Sequence, residues 1–426
     1  MTAPGKAVRK APRKAPRRHP KSRPEIGIAL AGGGPLGAVY EIGALRALDE
    51  ALDGLDINAL DSYVGVSAGA FVAACLANGI TSTQLVRMLF RNEPGEIPFT
   101  PDTFFTPAYR EIGRRALMLP RLATGSVWKA LRRPGAQGLG AGMAHLARAL
   151  PVGYFDNEPI RRYLSALLEN NGRTDDFRAL SRRLTIVAAD LESGEPVLFG
   201  TDGWDHIPIS RAVQASTAVP GLYLPVEIDG RPCVDGALLK TMHASVPLGH
   251  GAALLLCINP IVPVNTRSAV EAGAMRPGEL VERGMPAVLS QTVRTVLRSR
   301  MDAGLTSYAH RYPRADVVVF EPERDEYGMF FANLFSLSSR EAICDLAYEA
   351  TRRDLSRRRD ELAPLLARHG VRLREDVLDD ESRTLWKSVD LRARREDSGG
   401  SAVRRLGRTV TRVERAVLRR GRRGAA

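Results

Sequence analysis

The chain has 426 residues, 44% of them hydrophobic, so it can bury a sizeable core as one large α/β unit with appended helices or as two average domains. Four widely spaced cysteines in apolar segments indicate buried free thiols in a reducing compartment, and the lack of C-x-x-C and H-E-x-x-H patterns argues against a structural metal. The formal net charge of +13 comes from the two ends, because residues 1–24 carry nine basic side chains and residues 401–426 carry nine arginines with a single acid. The middle of the chain is therefore net negative.

Residues 1–24 combine many basic side chains with five prolines and cannot bury a core, so we expect a disordered basic tail. The apolar stretch that follows Arg17 and Arg18 is better interpreted as the first strand of the folded part than as the core of an export signal. We therefore expect a cytoplasmic protein, with the tail available to an anionic membrane surface.

The first motif is a glycine loop between a strand at 25–30 and a helical run at 37–48. Its glycines are Gly32, Gly33, Gly34 and Gly37. Their spacing fits a dinucleotide fingerprint, with Asp53 or Asp56 as the ribose contact, but these acids lie in a loop rather than at the end of a second strand. The alternative is an oxyanion hole, which needs only unobstructed backbone N–H groups such as those of Gly33 and Gly34.

The second motif places Ser67 between a buried strand at 61–66 and a buried helix at 68–77. Gly65 and Gly69 flank the serine at the spacing of a nucleophile elbow, a strained strand-to-helix turn that exposes a hydroxyl above a sheet. The helix that follows points the positive end of its dipole toward this position. Ser67 is therefore the candidate nucleophile.

Residues 92–151 form an insertion that mixes aromatic and aliphatic side chains with arginines and ends in a glycine-rich stretch at 135–142. A lid over an acyl-chain channel needs such apolar surface with mobile joints. The alternative is that these side chains complete the core beneath additional helices.

The third motif follows a predicted hairpin whose strands, at 226–228 and 231–234, are joined by an Asp-Gly turn. Asp235 comes directly at the strand end, and Gly236 and Ala237 follow it. A carboxylate there can accept the proton of a nearby serine.

The ordered combination of these motifs, together with segments 188–195 and 215–226, resembles the patatin-like phospholipases from about Glu25 to His250. The resemblance implies a three-layer α/β/α fold with a central, mostly parallel sheet, plus a helical insertion and C-terminal helices. It also implies a Ser-Asp dyad that hydrolyses acyl esters of lipids without a cofactor. By position, Ser67 is the nucleophile, Asp235 is its proton acceptor, and the loop from Gly32 to Gly37 is the oxyanion hole.

Many relatives carry Arg or Lys within this loop, where the present chain has Pro35 and Leu36. A rival hypothesis is therefore a lipid- or membrane-binding protein on the same fold with poor turnover.

A Ser-Asp-His triad is a further alternative, because His243 follows Asp235 in the order typical of α/β-hydrolases. Since His243 lies beside Lys240 and Thr241, we interpret it as a surface histidine in a polar loop.

Further buried strands are predicted at 252–258 and 315–320, with covering helices near 279–310 and 338–370.

The C-terminal tail has Val and Leu at steps of three and four among arginines, which predicts a basic amphipathic helix suited to an anionic membrane surface. Nucleic acid is not an expected partner, because no basic and aromatic platform accompanies the tails. The predicted organisation is a tail at 1–24, a catalytic domain at 25–250, fold-completing strands and helices at 251–370, a linker at 371–400 and the basic tail at 401–426.

Overall fold

The computed structural model describes residues 24–91, 97, 105–132, 143–271, 273, 275–323 and 337–391. The expectations for the two basic tails, apart from Pro24, and for the glycine-rich stretch at 135–142 concern residues outside these ranges. The chain divides into a large unit that ends at Leu385 and a short unit that begins at Trp386.

The strands are, in chain order, β1 (Ile26–Leu30), β2 (Leu52–Asp53), β3 (Ser62–Val66), β4 (Thr106–Pro107), β5 (Gly153–Asp156), β6 (Arg183–Asp190), β7 (Pro196–Phe199), β8 (Gly221–Tyr223), β9 (Val226–Ile228), β10 (Arg231–Asp235), β11 (Leu254–Ile258), β12 (Asp316–Phe320) and β13 (Arg372–Leu373).

Eight of these strands form the central sheet, in the order β12-β11-β1-β3-β6-β10-β9, with β7 also paired to β6. The strands from β12 to β6 run parallel, whereas β7, β9 and β10 add antiparallel pairs. Strands β1, β3 and β11 are buried along their whole length, as their continuous apolar sequences predict for strands covered on both faces. The prediction of a mostly parallel central sheet is confirmed.

The helices are α1 (Gly34–Ala51), α2 (Ala68–Ala77), α3 (Ser82–Phe90), α4 (Tyr109–Arg132), α5 (Glu158–Leu168), α6 (Ile209–Ser216), α7 (Ser245–Gly249), α8 (Thr266–Glu271), α9 (Glu279–Glu282), α10 (Met285–Arg311), α11 (Leu337–Arg357), α12 (Arg359–Ala367), α13 (Glu375–Leu378) and α14 (Leu385–Ser388). Among the residues that the structure describes, no helix combines the length and the hydropathy of a membrane span.

Helices α1 and α11 pack closely along one another, and a glycine makes this approach possible. A Cβ atom at Gly43 would lie 2.2 Å from the carbonyl oxygen of Cys344, so a larger residue would force the two helices apart. Because α1 begins at the glycine loop, α11 is fixed against the helix that leaves the candidate site. Cys344 and the other three cysteines are buried free thiols, as predicted.

The expectation of a linker at 371–400 is wrong for residues 371–391. Strand β13 pairs with the edge of β2, and Arg372 forms an ion pair of 2.6 Å with Asp53. Helices α13 and α14 follow. Charged side chains of this segment form ion pairs with residues that are distant in sequence, such as that of Arg372 with Asp53. A local sequence pattern does not reveal such pairs.

Within the insertion, α4 presents large apolar side chains to solvent, including Leu117 and Trp128, whose residues are 84% and 58% exposed. The interpretation that the insertion's side chains complete the core is therefore wrong for Leu117 and Trp128. Its Glu111 is buried and binds Arg114 and Arg115.

Candidate active site

The register of the central sheet places the serine and aspartate motifs at the same end of β6, on the two strands that flank it. In the parallel pair of β3 and β6, Val66 lies opposite Val187. In the antiparallel pair of β6 and β10, Ala188 lies opposite Asp235. The residue after Val66 is Ser67, so the sheet positions Ser67 and Asp235 on either side of the end of β6.

Ser67 occupies the single residue between β3 and α2, with φ 54° and ψ −123°. A positive φ is uncommon for a residue with a side chain, and such strain is characteristic of functional turns. A Cβ atom at Gly65 would lie 2.4 Å from the carbonyl oxygen of Gly69, and one at Gly69 would lie 2.5 Å from that of Leu30. Both glycines are therefore required by close backbone contacts, and Ser67 lies on a tight turn between a strand and a helix.

Ser216, at the end of α6, holds the turn in place. The backbone N–H of Ser67 donates a 2.8 Å hydrogen bond to the Ser216 hydroxyl oxygen. That hydroxyl in turn donates a 2.6 Å bond to the carbonyl oxygen of Val187. The sequence-based prediction missed Ser216, because it lies 149 residues from Ser67 and serine alone is not a distinctive signal.

Asp235 is the last residue of β10 and is almost completely buried. Its carboxylate accepts a 2.8 Å hydrogen bond from the backbone N–H of Ala237. Burial raises the pKa of Asp235 to about 6, while hydrogen bonds from the Ser67 side chain and from Ala237 act in the opposite direction. A Cβ atom at Gly236 would lie 2.4 Å from the Val187 carbonyl oxygen, so only glycine fits after the aspartate.

The glycine loop lies directly against both motifs. A Cβ atom at Gly32 would lie 3.2 Å from Ser67 Cβ and 3.3 Å from Ala237 Cβ. Gly33 is the N-cap of α1, and Gly34 begins the helix with φ 63°. Backbone N–H groups of a first helical turn have no intrahelical acceptor, and the helix dipole adds positive potential there.

Pro35 interrupts this row of donors, since it has no N–H group. The N–H of Gly37 already donates to the carbonyl oxygen of Gly33 at 3.1 Å. Gly34 and Ser67 both line the adjoining pocket. Of the four glycines predicted to form the oxyanion hole, Gly34 is therefore the best placed to donate its N–H to a ligand in the pocket. The N–H of Gly37 is already hydrogen-bonded to the carbonyl oxygen of Gly33.

The pocket beside Ser67 has an almost entirely apolar lining. It encloses about 720 Å³, counting the open space at its mouth. Its walls come from α1, α2, α5 and the segment after α6, with side chains that include Val39, Ile42, Phe71, Ile160, Leu222 and Tyr223. Such a lining suits an acyl chain, because burying apolar surface is favourable at roughly 25 cal/mol per Å².

Arg340 also lines this pocket, which the sequence-based prediction did not anticipate. It is 6% exposed and lies in the first turns of α11. Its Nε and Nη1 atoms have no hydrogen-bond partner among the residues that the structure describes. No local motif surrounds Arg340 in the sequence, so only the packing of α11 against α1 reveals it.

The two acids required by the dinucleotide interpretation have structural roles. Asp53 binds Arg372, and Asp56 accepts a 2.9 Å hydrogen bond from the backbone N–H of Asn58 at the start of a short 3-10 turn. In the described part of the chain, no group of His, Cys, Asp and Glu side chains could hold a metal ion.

His243 is not a surface residue, contrary to the expectation from its polar neighbours. It is 3% exposed and has φ 46°, and its Nε2 lies 3.4 Å from the carbonyl oxygen of Gly236. Burial lowers the pKa of His243 to about 4, so the ring is neutral at pH 7. The Asp235 carboxylate instead accepts a hydrogen bond from the Ala237 N–H, and the Ser67 side chain acts to lower its pKa.

Among curated proteins, an uncharacterised NTE family protein from Mycobacterium tuberculosis is 30% identical over 115 residues, which cover 27% of this chain and 27% of that protein. A second uncharacterised NTE family protein from the same organism is 24% identical over 309 residues, which cover 71% of this chain and 42% of that protein. The chain thus spans less than half the length of these relatives.

Among solved structures, VipD from Legionella pneumophila is similar with a TM-score of 0.35 and 16% identity, covering 78% of this chain and 67% of that one. ExoU in the ExoU-SpcU complex from Pseudomonas aeruginosa has a TM-score of 0.32 and 17% identity, covering 79% of this chain and 52% of that one.

The family model described as patatin-like phospholipase matches residues 28–248, which begin in β1, contain all three motifs and end in α7. The match covers more than half of the 426 residues. This chain belongs to the patatin-like phospholipase family.

Proposed function

We propose that the protein is a lipid acyl hydrolase of the phospholipase A or esterase type, acting through a dyad of Ser67 and Asp235. The observation that carries this proposal is the sheet register, which places Ser67, on its strained turn, and the buried Asp235 carboxylate on either side of the end of β6. The apolar pocket that Ser67 lines supplies a site for the acyl chain.

In the first step, the Ser67 oxygen attacks the ester carbonyl while Asp235 accepts the hydroxyl proton. A serine hydroxyl is a weak nucleophile and needs such a base. With a pKa of about 6, Asp235 is mostly ionised at pH 7 and is a stronger base than an ordinary aspartate. The backbone N–H of Gly34 and the N-terminus of α1 stabilise the negative charge of the tetrahedral intermediate.

The intermediate then collapses, breaking the bond to the alcohol oxygen, which takes the proton from Asp235 and leaves as the lyso-lipid or alcohol. Water next attacks the acyl-serine, with Asp235 again accepting a proton and afterwards returning it to the Ser67 oxygen. The products are a free fatty acid and the original serine. No cofactor takes part in this scheme.

The substrate of this scheme is a lipid, so we propose that the protein acts at a membrane surface from one side. The solvent-exposed apolar side chains of α4, mixed with arginines, are suited to an anionic membrane surface. A cytoplasmic, peripheral location remains part of this proposal.

A fluorophosphonate probe tests the chemistry, because it forms a bond between the serine oxygen and phosphorus with loss of fluoride. We expect wild type to label stoichiometrically, Ser67→Ala to remain unlabelled and Asp235→Asn to label much more slowly. Ser62→Ala is a matched control, since Ser62 is a buried serine of β3 that does not line the pocket. Labelling that persists in folded Ser67→Ala would disprove the assignment.

The second candidate is a lipid-binding protein of low turnover on the same fold. It is favoured by Pro35, which removes a backbone donor from the first turn of α1. Wild-type protein that is folded and binds short-chain lipid, but neither labels nor releases fatty acid, would support this candidate over the hydrolase.

A further inference from the structure

The segment that follows β11 lies directly against the glycine loop. A Cβ atom at Gly33 would lie 2.8 Å from Cγ of Pro260, and one at Gly37 would lie 3.2 Å from the same atom. A Cβ atom at Gly32 would lie 3.6 Å from Cδ1 of Ile261. Because packed atoms leave little free space, the ring of Pro260 limits where Gly33 and Gly37 can lie.

This contact bears on the backbone donor assigned above to the oxyanion hole. Gly33 is the N-cap of α1, and the peptide group that joins it to Gly34 carries the N–H of Gly34. The direction of that N–H therefore depends on the position of Gly33. Groups of a catalytic site must be held to within about 0.5 Å of their productive geometry, so whatever supports Gly33 affects the reaction.

Asn259 fixes the turn that carries Pro260. It directly follows the last residue of β11 and is fully buried. Its Oδ1 accepts a 3.1 Å hydrogen bond from the backbone N–H of Ile261, and its Nδ2 lies 3.3 Å from the carbonyl oxygen of the same residue. An asparagine that binds the backbone two residues further on stabilises a turn. The side chain of Asn259 thus holds the backbone on the far side of Pro260.

The amide of Asn259 is itself oriented by a charged side chain. Its Nδ2 donates a 3.1 Å hydrogen bond to Oε2 of Glu321, which directly follows β12. The other carboxylate oxygen of Glu321 accepts a hydrogen bond from Nη1 of Arg298 on α10. A carboxylate only accepts, and its hydrogen bonds are stronger than neutral ones, so Glu321 keeps Oδ1 of Asn259 directed toward Ile261.

Resting on the function proposed above, we propose that Asn259 is a positioning residue for the oxyanion hole. It holds Pro260 against Gly33 and thereby orients the N–H of Gly34 toward the reacting carbonyl group. Asn259 does not line the apolar pocket, so it acts on the reaction only through the glycine loop. Its loss should therefore lower kcat and leave the binding of the acyl chain intact.

Steady-state hydrolysis of a soluble short-chain ester tests this role. Asn259→Ala removes the bonds that hold the turn, so kcat per folded molecule should fall about 10- to 100-fold, as for a misaligned donor. KM should change less than about 3-fold, since the pocket keeps its lining. A loss of stability without a fall in kcat would contradict the proposal.

Asn58→Ala is the matched control. Nδ2 of Asn58 also binds two acceptors, the backbone carbonyl oxygens of Leu76 at 3.1 Å and Ile80 at 2.9 Å. These bonds lie at the opposite end of α2 from Ser67. Asn58→Ala should lower the unfolding midpoint and leave kcat per folded molecule unchanged. Equal losses of kcat in the two alanine variants would overturn the special role of Asn259.

An exchange of donor and acceptor separates this hydrogen bond from general packing. Asn259→Asp keeps an acceptor for the N–H of Ile261 but places a second carboxylate against Glu321, so kcat should fall as in Asn259→Ala. Adding Glu321→Gln supplies an amide donor from the other side of the pair and should restore most of kcat. A folded double variant that is no faster than Asn259→Asp would contradict the proposal.

Amide hydrogen exchange gives a readout that needs no turnover. The N–H groups of Ala31 and Gly37, at the two ends of the loop, each donate a 3.1 Å backbone hydrogen bond. Both amides should exchange faster in Asn259→Ala than in wild type, whereas Asn58→Ala should leave them unchanged. If wild type neither labels nor hydrolyses an ester but exchange responds in this way, the hydrolase proposal fails and the support of the loop by Asn259 stands. Unchanged exchange in Asn259→Ala would overturn that support.

Discussion

The backbone N–H of Ser67 donates a 2.8 Å hydrogen bond to the hydroxyl oxygen of Ser216, and that hydroxyl donates a 2.6 Å hydrogen bond to the carbonyl oxygen of Val187. One buried hydroxyl thus joins the strained turn of Ser67 to β6. Because Asp235 lies beside the same end of β6, Ser216 fixes the turn of Ser67 relative to Asp235.

The first prediction concerns Ser216→Ala. The substitution leaves the N–H of Ser67 and the carbonyl of Val187 without this partner, which should cost about 1–3 kcal/mol of unfolding free energy. The turn would relax, so kcat for a short-chain ester should fall by roughly 10-fold or more through lost alignment. Denaturant unfolding and steady-state kinetics measure the two effects.

Ser210→Ala is the control, since Ser210 is also fully buried on α6, and its hydroxyl donates to Asp175 at 2.7 Å, away from Ser67. It should lose stability comparably while retaining wild-type kcat per folded molecule. If both variants lost kcat equally, Ser216 would have no special role in aligning the turn.

The parts of the site that were predictable from sequence are those with local causes. The turn at Ser67 depends on close contacts of Gly65 and Gly69, and the bend after Asp235 depends on Gly236, so short motifs carried enough information. The continuous apolar strands likewise predicted a sheet covered on both faces.

The parts that were not predictable depend on distant contacts. Ser216 and Arg340 reach the site through the packing of α6 and α11, and nothing in their neighbouring residues indicates it. His243 was assigned to the surface from its polar neighbours, yet a backbone with φ 46° directs it into the interior. Residues 371–391 show no strong periodicity but fold because β13 has an edge strand to pair with.

The second prediction concerns the pH dependence of activity. If Asp235 is the base, it must be ionised, so kcat/KM should rise with pH and level off above its pKa of about 6. Asp235→Asn keeps an acceptor for the Ala237 N–H but cannot take a proton, and should lower kcat by about 100- to 10,000-fold.

His243→Asn serves as the control in the same assay, because asparagine tolerates a positive φ and the histidine lacks a catalytic task in this mechanism. It should keep both kcat and the midpoint of the pH profile. A histidine base would instead be revealed by loss of activity in His243→Asn with little effect of Asp235→Asn.

The third prediction concerns how Asp235 and His243 affect stability between pH 4 and 6.5. The pKa of Asp235 rises from 3.8 to about 6 on folding, so the folded state holds an extra proton and stability falls as pH rises through this window. The pKa of His243 falls from 6.5 to about 4, so the unfolded state holds the extra proton and stability rises with pH. Across this window each titration changes the free energy of unfolding by about 3 kcal/mol, and the two changes have opposite signs.

As the pH is raised across the window, the free energy of unfolding of Asp235→Asn should therefore increase by about 3 kcal/mol relative to wild type. That of His243→Asn should decrease by a similar amount. Urea unfolding at several pH values measures both differences, and the double variant should follow the slope of wild type. If plots of unfolding free energy against pH were parallel for wild type and Asp235→Asn, folding would not change the pKa of Asp235.

The fourth prediction concerns the solvent-exposed face of α4. Leu117 and Trp128 are eleven residues apart, close to three full turns, so they share one side of the helix with the exposed Arg121. An apolar pair beside a cation suits insertion at an anionic lipid interface. The double variant Leu117→Ser with Trp128→Ser should lower hydrolysis of anionic vesicles by about 10-fold or more while sparing a soluble short-chain ester.

Val281→Ser is the matched control, because Val281 is 69% exposed on α9, outside this helix, and its loss should leave vesicle hydrolysis unchanged. Added salt should weaken wild-type binding to the vesicles, since the contribution of Arg121 is screened. The two assays separate surface binding from chemistry, because the soluble ester requires only the pocket of Ser67. If the double variant lost both activities in proportion, α4 would support the fold of the site rather than its contact with lipid.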